Sequence, residues 1–315
     1  TAMSLAPLAY TIFQKHLRVN PGDPTWPGRD RFVLSAGHAC VLQYVVLHLC
    51  GYGLTLNDLK AFRQWGSPTP GHPEHELTLG VETTTGPLGQ GIGNAVGMAM
   101  AERFLAERYN RPGQEIVDHR IYVIASDGDL MEGVCQEAAS VAGNLGLGKL
   151  IVCYDDNRIT IDGPTALSFD HEDKLGRFKS QGWHVQSVSD ANDVEALDTA
   201  LNIACAERSA PSLIAVRSHI AYPAPNAQDT AKAHGAPLGE AEIHQTKCVL
   251  GLDPDEFFSV SDDVYQHMNL AERGGKAQSD WERNFAAWAS EYSELALDWE
   301  RTWSGNFDSL DAVLP

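Results

Sequence analysis

Two short apolar runs, Ile121 to Ala125 and Leu150 to Tyr154, each stop abruptly at polar residues: Asp127-Gly128 after the first, Asp155-Asp156-Asn157 after the second. Glu137 to Leu145 lies between them and reads as a helix. The alternation resumes with His184 to Val188 as a strand, Val194 to Glu207 as a helix and Leu213 to Ser218 as a strand. Short apolar strands alternating with helices predict an α/β fold with a central parallel sheet flanked by helices on both faces.

Upstream, apolar Met3, Leu5, Leu8, Ile12 and Phe13 predict an amphipathic helix, and Asn20 to Asp30 a Pro- and Gly-rich loop. Phe32 to His38 leads into an apolar helix over Ala39 to Leu49, and a short helix is expected over Leu59 to Trp65. Ser67 to His75 carries Pro68, Pro70 and Pro73, which forbid regular structure there. From Gly86 the glycines thin out into a helix of small residues reaching about Tyr109. A long loop covers His219 to Pro237. Beyond Asp253 the pattern changes: Ser279 to Trp303 reads as helix with Trp281, Trp288, Trp299 and Trp303, a packing surface, and Phe307 to Pro315 as a linker. The division expected is a main domain over 1–252 and a helical tail and linker over 253–315.

Asp127 and Asn157 stand thirty positions apart, the length of one strand–helix–strand unit, so both should emerge at the same edge of a parallel sheet. Either alone fits a helix cap or a strand end. Together, two oxygen-bearing side chains suit a hard cation that keeps room for a phosphate ligand, with Gly128 offering its amide at a helix start. Gly86-Pro-Leu-Gly-Gln-Gly-Ile-Gly93 could cradle phosphate or permit close helix packing. No strand-like run leads into it and no acidic residue follows as in dinucleotide sites. His38, His72 and His234 each sit in a Gly-containing loop or at a helix start, where acid–base use depends on their surroundings. The spacing of His72-Pro-Glu-His75 matches no helical zinc pair.

A net charge of −19 argues against general nucleic-acid binding. No run of eighteen apolar residues suggests a membrane span. Six scattered cysteines without a C-x-x-C pair suit reduced core thiols in a cytoplasmic protein.

Six motifs in order, Ser35-Ala-Gly-His38, Pro70-Gly-His72-Pro-Glu, Thr85-Gly-Pro-Leu-Gly-Gln-Gly, Ser126-Asp-Gly128, Tyr154-Asp-Asp-Asn157-Arg-Ile-Thr-Ile-Asp-Gly163 and Lys232-Ala-His234-Gly, resemble the diphosphate-binding half of transketolase over nearly the whole chain to about Lys247. The resemblance implies the thiamine-diphosphate-binding fold and Mg²⁺ (or Ca²⁺) held by Asp127, Asn157 and the Ile159 carbonyl. It assigns the Gly128 amide, His38 and His234 to the phosphates, Leu88 and Ile161 to the thiazolium ring and Gly86 to the aminopyrimidine. His38 and His72 would handle sugar hydroxyl protons, His234 would face the reacting centre, and Glu132 would join a carboxylate network at the subunit contact. The implied chemistry moves a two-carbon ketol unit from a ketose phosphate to an aldose phosphate, as in the pentose phosphate pathway and Calvin cycle, by a homodimer with cofactor at the subunit interface.

Departures qualify this. Ser126 stands where the family usually has Gly. The family's Ser-Gly-His-Pro-Gly would fall just before Thr1, and the pyrimidine-binding domain, with its activating glutamate and phosphate-gripping arginines, is expected from the same longer chain or a separate subunit. The chain alone is therefore expected to be inactive. Alternatives are dihydroxyacetone synthase, 1-deoxyxylulose-5-phosphate synthase, which the Ala221-to-Gly235 loop disfavours, or a non-catalytic cofactor-binding module.

Overall fold

A five-stranded, wholly parallel sheet forms the centre of the computed structural model, which describes residues 1–304. The strands in chain order are β1 (Arg31–Leu34), β2 (Ile121–Ser126), β3 (Leu150–Asp156), β4 (Ile159–Thr160), β5 (Gly163–Pro164), β6 (His184–Val188) and β7 (Ser212–Arg217). The main sheet runs β1-β2-β3-β7-β6, while β4 and β5 pair only with each other, antiparallel. Register places Ser126 beside Asp155 and Asp156 beside Arg217. The polar residues that end these strands thus line up at one edge of the sheet.

Both faces of the sheet are covered, which is why β2 and β3 are continuous apolar runs and not alternating ones. One face (Tyr122, Ile124, Ile151, Cys153, Ile214, Val216) packs under the N-terminal helix and the helices Cys40–Cys50 and Val194–Ala206. The other (Val123, Ala125, Val152, Tyr154, Ala215) packs under the helices Gln90–Tyr109 and Gly133–Leu145.

The structure differs from the sequence reading at several elements: the expected loop over His219 to Pro237 contains a one-turn helix, Lys232–Gly235, and the helix expected from Glu137 starts at Gly133. β1 was not foreseen as a strand: it is only four residues long and begins with an arginine, and its strand character comes from pairing with β2. The short helix falls at Leu56–Lys60 instead of Leu59 to Trp65. Thr55 and Asp58 close a reciprocal capping box that fixes its start. The Trp-rich stretch is two helices, Ala271–Glu291 and Ser293–Trp303, separated at Tyr292. Their packing surface faces the main body: Trp281 Nε1 donates to the Ile116 carbonyl (2.7 Å) and Trp288 Nε1 to that of Tyr109 (2.9 Å). Trp288, Trp299, Tyr109, Ile116 and Val117 form a satellite core there. The linker expected over Phe307 to Pro315 lies outside the described residues.

His119 gives the fold a pH dependence. It is buried, and burial, followed by the nearby Arg31 and Lys149 charges, pushes its pKa down to about 2. The unfolded imidazole takes a proton near pH 6.5 that the folded one refuses, so this contribution is full above pH 6.5 and declines as pH falls below it. The urea midpoint should drop between pH 7 and pH 5, and His119→Gln should flatten that dependence; equal slopes for the two proteins would remove His119 as the cause.

Candidate functional site

The carboxyl ends of β1, β2 and β3 lead into one cleft, where an open α/β sheet places its ligands, with Ser218 after β7 bonded to Asp155 behind it. Asp127 follows β2 directly as the first residue of the five-residue helix Asp127–Met131 and is buried. Its Oδ1 accepts from the Tyr154 hydroxyl and, at 3.4 Å, from Lys174 Nζ. Its Oδ2 accepts from the Arg158 N–H at 3.1 Å. Burial raises the Asp127 pKa above the usual carboxylate range, opposed by the Tyr154 hydrogen bond and the Lys174 charge.

Asn157 follows β3 and is also buried. Its Nδ2 donates to Asp155 Oδ2 (2.7 Å) and its Oδ1 accepts from the Ile159 N–H (2.8 Å). Asp155 is in turn held by the Ser218 hydroxyl at the end of β7. Only one orientation of the Asn157 amide matches these partners. Flipping it would set oxygen against carboxylate and NH₂ against N–H. Arg158, at φ 64°, is left-handed, and this reversal brings its own N–H to Asp127 and the next N–H to Asn157.

A third buried carboxylate, Asp129, ties the strand ends together. Asp129 Oδ1 accepts from Ser35 Oγ (2.7 Å) and the Gly89 N–H (2.8 Å), and its Oδ2 from the Ser126 N–H (2.8 Å) and hydroxyl (3.0 Å). The serine at 126 therefore has a local bonding role. The glycine-rich stretch serves close packing at Gly91, where a Cβ would come within 2.5 Å of the Ser35 Cα. Gly86 borders the cleft instead, beside His72.

The cleft measures about 490 Å³ and is lined by Asp127, Gly128 and Glu132 from the β2 side and by Ile159 and Ile161 beyond β3. Gly86 and Leu88 border it, as do His38, His72 and His234. Asn157 lies just behind this wall. All the residues singled out from the sequence are thus brought to one place, with Glu132 and Ile161 at its exposed rim.

His38 and His234 stack with ring centroids 4.6 Å apart. Burial and then the neighbouring His234 push His38 down to about 4, so at neutral pH it is an uncharged imidazole. Burial also lowers His234, against a hydrogen bond with the Ile159 backbone. His38 Nε2 and His234 Nδ1 are buried nitrogens with no hydrogen-bond partner. Such orphans are rare in a folded protein and fit an oxygen-rich ligand delivered to the cleft. The Asp127 carboxylate, the Asn157 amide oxygen and the Ile159 carbonyl form a hard oxygen set that suits Mg²⁺ or Ca²⁺, so the residues present fit a cation-anchored diphosphate.

Tyr154, Asp155, Asp129, Lys174 and Ser218 were not singled out from the sequence. The Ser126-x-x-Asp129 spacing is a capping signature that could have exposed Asp129. Lys174 and Ser218 come from distant segments and carried no local signal.

The family model described as "Transketolase, thiamine diphosphate binding domain" matches residues 1–308. Transketolase of Geobacillus stearothermophilus is 50% identical over 99% of this chain and 47% of its own length. That of Mycobacterium tuberculosis (strain ATCC 25618 / H37Rv) is 49% identical over 100% and 46%. Among solved structures, transketolase from Leishmania mexicana superposes with a TM-score of 0.93 at 46% identity, covering 95% of this chain and 45% of its own. A Pichia stipitis transketolase complex with sedoheptulose 7-phosphate gives 0.92 at 46%, covering 95% and 44%. The chain spans a little under half the length of these relatives.

Proposed function

The chain belongs to the transketolase family, through that family's thiamine-diphosphate-binding domain, and from this premise we propose that it holds Mg²⁺ (or Ca²⁺) and thiamine diphosphate for transfer of a two-carbon ketol unit between sugar phosphates. The donor class is a ketose phosphate such as xylulose 5-phosphate. The acceptors are aldose phosphates such as ribose 5-phosphate and erythrose 4-phosphate. The observation that carries this reading is the meeting, at one cleft, of the Asp127 carboxylate with two unpartnered imidazole nitrogens, the Asn157 amide oxygen being held against the Ile159 N–H behind the cleft wall.

In this proposal Asp127, Asn157 and the Ile159 carbonyl take the cation, and the Gly128 amide, His38 and His234 take the phosphate oxygens. Leu88 and Ile161 flank the thiazolium ring, and Gly86 leaves room near the aminopyrimidine. Thiamine diphosphate, when bound, supplies the electron sink for carbon–carbon cleavage. The protein's contribution is position and proton handling: His38, neutral at working pH, can donate at one ring nitrogen and accept at the other. His72, exposed at the mouth of the cleft, suits the hydroxyls of the arriving sugar.

Ile161 and Leu167 are each 71% exposed near the site, which supports a rim covered by a pyrimidine-binding domain, with the cofactor at a subunit interface of a cytoplasmic homodimer and Glu132 in the contact. Residues 1–252 form the diphosphate-binding domain, and 253–315 the segment toward that partner domain.

In the enzyme assembled with its pyrimidine-binding domain, His72→Ala should lower ketol transfer from xylulose 5-phosphate to ribose 5-phosphate by about 10²-fold or more while changing thiamine-diphosphate affinity by less than about threefold. Steady-state rates and calorimetry check this together. A variant that loses affinity and keeps its rate would move His72 out of the substrate path.

A further inference from the structure

Lys174 opens the helix Lys174–Ser180 and reaches back to the sheet edge. Its ammonium lies 3.4 Å from Asp127 Oδ1 and, among the described residues, forms no other ion pair or hydrogen bond. The side chain is 16% exposed, and the ammonium sits 4.5 Å from the Phe169 ring centroid and 5.9 Å from that of Tyr154. The helix is fixed in place: Asp173 caps the Gly176 N–H (2.8 Å), Arg177 donates to the Leu130 carbonyl (3.1 Å), and Phe178 is buried against Trp183. A rigid element thus delivers one positive charge, over aromatic walls, to the carboxylate assigned to the metal.

We propose that Lys174 is an internal competitor for the cation site, pairing with Asp127 until a dication displaces it and thereby setting how tightly, and with what charge, a metal ion is held. The proposal rests on the reading of Asp127 as a metal ligand. A free monovalent ion brings to Asp127 no more charge than the tethered ammonium already there and gains nothing by replacing it. A dication gains by charge but meets Lys174 as a like charge in a partly desolvated place, where repulsion is poorly screened. A diphosphate beside the metal offsets that repulsion. The competition should therefore be strongest for metal alone and weakest for metal with diphosphate, so that metal and diphosphate bind with strong mutual dependence. This residue acts through Asp127 and is a tuning residue, outside the set that touches substrate.

The test is Mn²⁺ titration of the protein at pH 8, followed by electron paramagnetic resonance, with and without inorganic diphosphate. Lys174→Met keeps the apolar stem over Phe169 and removes the charge, and Lys174→Gln does so with a polar end. Both should bind Mn²⁺ alone about tenfold more tightly than the parent protein, with a smaller gain when diphosphate is present. Lys174→Arg, which keeps the charge, should leave Mn²⁺ affinity near the parent value. Unchanged or weaker binding in both charge-removing variants, with Asp127→Asn still losing the metal, overturns the competitor role and leaves the site assignment intact. Full Mn²⁺ binding by Asp127→Asn overturns the metal site itself, and with it the proposal.

Discussion

Asp127→Asn should lower thiamine-diphosphate affinity in saturating Mg²⁺ by a few hundred- to a few thousandfold, roughly 3–5 kcal/mol, the range for removing one partner of a buried charge pair. The substitution is close to isosteric, yet it removes the only formal charge in the proposed ligand set of Asp127, Asn157 and the Ile159 carbonyl. One of its two oxygens also becomes an NH₂. If the NH₂ takes the Oδ2 place it faces the Arg158 N–H, donor against donor; if it takes the Oδ1 place it faces the Tyr154 hydroxyl and the Lys174 ammonium. Either orientation leaves a mismatch, and Lys174 loses its counter-charge. Isothermal calorimetry measures the affinity, and a thermal melt shows whether the fold survives. A folded variant whose affinity stays within about threefold of the parent would sink the assignment of Asp127 to the cation.

What the sequence disclosed and what it withheld divide along a physical line. β2, β3 and β7 were legible because a parallel strand covered on both faces must be largely apolar, and such runs stop visibly where the chain leaves the sheet. β6, a half-buried edge strand, was legible only from the alternation of strands and helices around it. The same stops placed Asp127 and Asn157 at one edge, since one strand–helix–strand unit returns the chain to the same end. The histidines entered through the glycines and helix starts around them. β1 was illegible because a four-residue strand owes its conformation to its neighbour. Asp155 was hidden in plain view between Tyr154 and Asp156. Successive strand residues point to opposite faces, and nothing local tells which carboxylate turns inward to Ser218. Lys174 was invisible for a different reason: its helix reads as an ordinary basic surface turn, and only the fold brings its ammonium to Asp127.

Asp155→Ala should weaken Mg²⁺-dependent cofactor binding by about 10- to 100-fold, the effect expected when a group that orients a metal ligand is removed. Asp155 does not line the cleft; it fixes which end of the Asn157 amide would face the proposed cation. With the carboxylate gone, Asn157 Nδ2 has lost its acceptor, only the Ile159 N–H still holds the amide oxygen, and the amide turns more readily to present NH₂ toward the proposed cation. Asp155→Asn separates this orienting role from simple loss of packing. Its oxygen can still accept from Asn157 Nδ2, and its NH₂ can donate to Ser218 Oγ, which accepts as readily as it donates. The asparagine variant should therefore recover most of the affinity that the alanine variant loses. Ser218→Ala, which removes only the outer partner, should fall between the parent and Asp155→Ala. If Asp155→Asn and Asp155→Ala lose affinity equally while both remain folded, the negative charge of Asp155, and not the direction in which it holds Asn157, is what the site requires.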